Sequence, residues 1–303
     1  MRNANALVIF GVLGSGCGTD VRPVDTTVPP EVSNDTRLIG RSWAVDPTVF
    51  AEYKCVRFTA PHDMYITGFE AAATVGTHHT LLTIASEQSG TTGPDGEYDC
   101  TASEMGLVML YASSVGTQPL AMPDGVGLEV KAGQQLHLQI HLSNAGDDPL
   151  SGETAIYVKT QDEPPQQLAE MVLAGKFDFT IPAMAAPYDV TGGCVADRDY
   201  SIFAVWPHMH ELAVHQTLEA IRGGTPEMLL DQRFVFGEQD YYTKSPEVPV
   251  HVGDELRVTC TYVNTTGQPV TWGDSQADEM CFTGMYRYPV LGQGVFHCTD
   301  NPG

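Results

Sequence analysis

The chain has 303 residues, enough for two domains of roughly 100–150 residues each, and 42% of them are apolar, as in a globular chain. Thirty-eight acidic residues outnumber 15 basic ones, for a formal charge of −23. Such a surface repels phosphate backbones and excludes nucleic acid as the expected partner.

The first element in chain order is an apolar run, Ala6–Leu13, preceded by Arg2 and followed by Gly-Ser-Gly and Cys17. This predicts an export signal over residues 1–17, too short to span a membrane. Cys17 stands where bacterial lipoproteins carry their lipid-acceptor cysteine, although Gly14 occupies the place that is usually leucine. The expected location is periplasmic or cell-surface with a lipid on Cys17, and otherwise secreted. Membrane contact is expected only through that anchor. Residues 18–39, rich in Pro, Thr and Asp, read as a flexible tether. Six further cysteines, an even number in an exported chain, predict disulfides whose pairing the count leaves open.

From residue 40 onward strand signals dominate. "CVRFTA", "MYITGFEAAA", "HTLLTIA", "QLHLQIHLS" and "TAIYVKT" are short apolar or alternating runs separated by Gly, Asp, Pro and Asn. The second half repeats the pattern with "KFDFTIPA", "DYSIFAVWPHMH", "DELRVTCTYVN" and "MCFTGMYRYPV". This predicts an all-β chain of two antiparallel sandwich domains, 40–163 and 164–303. "PPQQLAEM" (164–171) reads as a short helical turn at the joint. Segments 130–144 and 250–264 share a turn-then-strand pattern ending in Asn, which points to two similar domains.

Four stretches carry candidate ligands. His78 and His79 are adjacent, so a regular strand would point them to opposite faces. One metal could take both if the strand bends, which Gly76 permits, or if the rings use different nitrogens. Alone, the pair reads more readily as a surface pair. His137, Gln139 and His141 share one strand face, opposite the core face Leu138, Ile140 and Leu142. On this stretch alone a polar outer face is the readier reading than a metal site. In "WPHMHEL", His208 and His210 project the same way from an extended segment, with Met209 turned to the other face. A metal site and a polar strand edge compete evenly there. The zinc-protease pattern is excluded, because His210 and His215 are five apart on a non-helical segment. In "DEMC", Met280 sits between acidic residues and Cys281, an odd setting for a core methionine. Imidazoles with a thioether form a set suited to copper, whereas zinc seldom recruits methionine.

The order of these elements resembles the copper type II, ascorbate-dependent monooxygenases, the family of dopamine beta-monooxygenase and the peptide-amidating hydroxylase. The resemblance extends over nearly all of residues 40–303 and is most specific at "DEMC" with the upstream "CTYVNTTG" and "VTWG". It implies two tandem jelly-roll sandwiches facing a solvent-filled, copper-containing interdomain cleft. His78, His79 and His141 would bind an electron-transfer copper, with Gln139 beside it. His208, His210 and Met280 would bind a catalytic copper that meets dioxygen and substrate. The implied disulfides are Cys55–Cys100, Cys194–Cys298 and Cys260–Cys281. The implied reaction is hydroxylation of a small molecule's C–H bond, with ascorbate or another one-electron reductant and two coppers per chain. The alternative is a non-enzymatic copper-binding lipoprotein on the same scaffold. His137 has no role in the resemblance and is expected at the surface.

Where the peptide-amidating branch has an arginine two residues before its His-x-His, this chain has Trp206. Phe282 and Gly284 replace that branch's Asn and Tyr after the methionine. A bidentate carboxylate clamp is therefore missing, and peptide amidation is not expected. Trp206, Phe282 and Tyr286 either line an apolar pocket or belong to the core. The acidic charge hints weakly at an amine, so the expected substrate is an amine or an aromatic compound. The oligomeric state is left open.

Overall fold

The computed structural model describes residues 36–114, 116–273, 275 and 277–299. The expected export signal, Cys17 and the tether up to residue 35 lie outside the described residues. Residues 36–39, expected in the tether, begin the first strand instead.

Every regular element among the described residues is a β-strand. The first sheet runs β1 (Thr36–Val45), β10 (Leu150–Gln161), β3 (Met64–Ala73), β8 (Val126–Val130) and β11 (Gln167–Leu168), with β7 (Leu120–Ala121) also beside β3. The second runs β5 (Gly96–Asp99), β2 (Val49–Thr59), β9 (Gln135–Asn144), β4 (Thr77–Ile84) and β6 (Val108–Ser114). The third runs β18 (Tyr242–Val250), β15 (Tyr200–His208), β21 (Cys281–Tyr288), β12 (Glu170–Lys176) and β22 (Cys298–Thr299). The fourth runs β14 (Tyr188–Val195), β19 (Glu255–Tyr262), β16 (Ala213–Arg222) and β17 (Thr225–Arg233), and β13 (Thr180–Ile181) pairs with β20 (Val270–Thr271). All pairings are antiparallel except β8–β11 and β12–β22.

The helical turn expected over 164–171 does not form. Gln167 and Ala169 donate their N–H groups to the Gly125 and Gly127 carbonyls, both at 2.9 Å, which commits the segment to a strand. Pro164 and Pro165 favour the extended entry.

Strand alternation decides where the cores lie. Along β15, Ala204 and Trp206 pack into the core that fills the first half of the chain, whereas Val205 packs into the second core with Ile202. Along β21, Phe282 and Tyr286 face the first core and Met285 the second. The third sheet is therefore apolar on both faces and is covered on both, as a continuous apolar strand requires. Part of the contact between the two cores is a packed junction away from the candidate ligands. Tyr286 contributes to it: its O–H donates to the Leu110 carbonyl at 2.6 Å, and Tyr241 donates to the Ala112 carbonyl at 2.7 Å. Three disulfides join Cys55–Cys100, Cys194–Cys298 and Cys260–Cys281, the pairs implied by the family resemblance. The second and third tie β14 to β22 and β19 to β21.

Candidate metal centre

His79 and His141 are direct cross-strand partners on β4 and β9, so their side chains rise from one face of the sheet. The register shifts between Thr77 and His79, placing a bulge at His78. Gly76, at φ 105°, supplies the left-handed turn just before it. The bulge brings His78 onto the face of its neighbour, which resolves the opposite-face conflict of a regular strand.

The three Nδ1 atoms lie 3.0 Å (His78–His79), 3.2 Å (His78–His141) and 3.4 Å (His79–His141) apart. Among the described residues this is the group of His, Cys, Asp and Glu side chains that converges at ligand distances. Three ring nitrogens cannot all donate to one another. Separations of this size are what metal–nitrogen bonds of about 2 Å produce at angles near 95–115°. Burial holds His78 down at about 3 and His79 well below its ordinary value, with the neighbouring histidines adding to the effect. Neutral imidazoles are the ligating form. Tyr53 stacks on His141 with ring centroids 4.5 Å apart, and Phe236 covers His78 at 4.4 Å.

The second set is assembled from three places. His208 ends β15, His210 follows in the loop, and Met280 precedes β21. The His208 Nδ1–H donates to Gln239 Oε1 at 2.8 Å, and the Gln239 amide is oriented by its own donation to the Phe236 carbonyl. His210 donates from Nδ1 to the Asp278 carbonyl at 3.0 Å. Both rings are thereby fixed in the tautomer that ligates through Nε2. Burial is also the main reason His208 is lowered to about 3. Glu279 is fully buried and accepts from the backbone N–H of His210 (2.9 Å) and Leu212 (2.6 Å). Burial raises its carboxyl to about 7 against these donors. Tyr262 donates to the Met280 carbonyl at 2.6 Å, while the Cys260–Cys281 bridge anchors the next residue. Met209 is fully buried in the second core, turned away as strand alternation demands.

His79, His208, His210, Met280, Gln139, Trp206 and Phe282 line one cavity of about 280 Å³. The His79 and His208 rings are 6.1 Å apart, so the two ligand sets adjoin directly. Trp206 stacks on His208 at 4.8 Å, two positions along the same strand face. Tyr286 does not reach this cavity, because its hydroxyl is spent on Leu110 inside the junction. Gln139 is buried with its amide nitrogen 3.0–3.1 Å from the carbonyls of Thr101, Ala102 and Glu104, so it holds the 101–104 loop against the cavity wall. His137, expected at the surface, is fully buried. Its Nε2 lies 2.8 Å from the Tyr98 hydroxyl, which donates to Glu104 at 3.2 Å, so a side-chain network and not solvent faces this position. Gln239, Phe236 and Tyr53 carried no sequence signal. Glu279 had one, since "DEMC" places a carboxylate directly before the methionine.

In this all-β protein three converging imidazoles that could hold a metal ion stand beside His208, His210 and Met280. Residues 167–301, which contain His208, His210 and Met280, match the model of the family described as "Copper type II ascorbate-dependent monooxygenase, C-terminal domain". The chain is also 25% identical over 237 residues to the human "Putative DBH-like monooxygenase protein 2". That match covers 70% of the chain and 47% of the relative, so the chain spans about half the length of the protein it matches. Among solved structures, the infectious bursal disease virus VP2 subviral particle is similar at a TM-score of 0.22 and 12% identity, over 86% of this chain and 74% of that one. The Gt strain of the same virus gives 0.21 and 11%, over 91% and 83%. Scores this low define no shared fold.

Proposed function

We propose that the chain is a copper-dependent monooxygenase that hydroxylates a substrate C–H bond with dioxygen and an external one-electron reductant such as ascorbate. One oxygen atom enters the C–H bond. The other leaves as water, using two electrons and two protons. The observation that carries this reading is the pair of adjoining ligand sets, three Nδ1 atoms 3.0–3.4 Å apart beside His208, His210 and Met280, at one cavity.

His78, His79 and His141 would hold one copper, and His208, His210 and Met280 a second. Copper bound there supplies one-electron transfer and the activation of dioxygen. The Met280 thioether favours the reduced ion, and the buried, neutral imidazoles suit both oxidation states. Gln239 and the Asp278 carbonyl keep the His208 and His210 rings from turning. Trp206 and Phe282 form the wall against which a substrate packs and from which water is excluded. The three disulfides fit an exported protein, and anchoring through Cys17 belongs to this proposal.

Copper per chain, measured on the purified protein, tests the ligand assignment, with two equivalents expected. Met280→Ala should retain the three-histidine equivalent and lose oxygen-dependent hydroxylation. Fewer than two equivalents in the parent protein, with no product coupled to ascorbate oxidation, would count against the proposal.

A further inference from the structure

Resting on that reading, we propose that the substrate is an uncharged apolar molecule of one or two rings, and neither an amine cation nor a carboxylate. Among the described residues lining the cavity there is no Asp, Glu, Lys or Arg. Apart from the ligand set, its walls are apolar and aromatic side chains such as Leu81, Leu173, Phe177 and Phe296. The polar exceptions offer no charge, and the Gln139 amide nitrogen is already committed to three carbonyls.

Desolvation decides between substrate classes. An ammonium entering this cavity loses its water, finds no carboxylate and is repelled by the copper proposed there; a carboxylate finds no Lys or Arg and only a thioether- and imidazole-ligated copper that prefers soft donors, whereas an alkyl or aryl group gains by leaving water. The overall charge of −23 attracts cations at long range, but salt screens it within about 8 Å at physiological ionic strength. The bulk charge therefore misleads about the substrate, and the local wall governs. Size follows from volume: an apolar cavity of about 150 Å³ holds a benzene, and this one measures about 280 Å³.

The test uses the copper-loaded protein under anaerobic reducing conditions at physiological salt, so that binding is read without turnover. Three probes of one shape are titrated by calorimetry, with Trp206 and Trp272 fluorescence as a second readout: propylbenzene, 2-phenylethylammonium and phenylacetate. Propylbenzene should bind at least about a hundredfold more tightly than either ion. Equal or tighter binding of an ion, or no binding of any probe up to its solubility, overturns the inference. Met105→Glu places a carboxylate on the wall and should tighten 2-phenylethylammonium at least about tenfold while weakening propylbenzene. Ala102→Phe should weaken propylbenzene by filling the cavity from a loop, and an unchanged Kd in both variants also overturns the inference. Copper content of the same samples separates the two claims: loss of copper defeats the proposed function, whereas bound copper with a preference for ions defeats only the substrate class.

Discussion

The two candidate ligand sets are built in opposite ways. His78, His79 and His141 come from adjacent strands of one sheet, and the register of β4 against β9 alone brings them together. His208, His210 and Met280 come from a strand end, a loop and a distant segment, and Gln239, Glu279, Tyr262 and a disulfide hold them. A site made by sheet pairing is as stable as its sheet. A site made by convergent segments is only as stable as its supports, so the second set is the one that support mutations should disable.

The largest expected effect breaks the comparison at its shared wall. Trp206→Ala removes a fully buried indole from the junction and should cost about 3–5 kcal/mol, read as a lowered urea midpoint, with both sets affected. Replacing Cys260 and Cys281 by Ser should cost about 3 kcal/mol and should weaken copper at the Met280 set while the three-histidine set retains its equivalent. Equal loss at both sets would contradict the asymmetry. Gln239→Leu frees the His208 ring and should lower copper affinity at that set by about 10–100-fold, measured by competition with a copper(I) chelator.

Acid sharpens the comparison more gently. Burial lowers His137 to about 4 in the folded protein, against about 6.5 when unfolded. As pH falls below about 6.5 the unfolded chain takes up a proton that the folded chain refuses. Metal-free stability is then lost progressively down to about pH 4 and levels off below it. The loss from this histidine is about 2 kcal/mol at pH 5, so the difference in urea midpoint between pH 7 and pH 5 should shrink in His137→Leu. The smallest effect is expected at His215, whose exposed pairing with Asp231 should change stability by less than about 0.5 kcal/mol on substitution by Ala.

Much of this was legible in the chain. Leu138, Ile140 and Leu142 alternate with His137, Gln139 and His141, and the alternating set is core, with all three fully buried. Met209 follows the same rule. The rule misled at His137, because the opposite face of β9 is covered too and alternation cannot tell a solvent face from a second buried one. On β15, "IFAVWP" (202–207) carried the warning of two covered faces in its unbroken apolar run.

By itself, then, the sequence determined what local chemistry controls: strands by alternation, a break at Gly76, and ligands of the right type at the right spacing. Tertiary structure decided what depends on long-range approach. It set the bulge that turns His78 beside His79, the Tyr286 and Tyr241 bonds across the junction, the Gln239 and Glu279 supports, and, among the described residues, a cavity wall without Asp, Glu, Lys or Arg. Those contacts join residues far apart in the chain, and the free energy that selects them is desolvation, which residue order does not display.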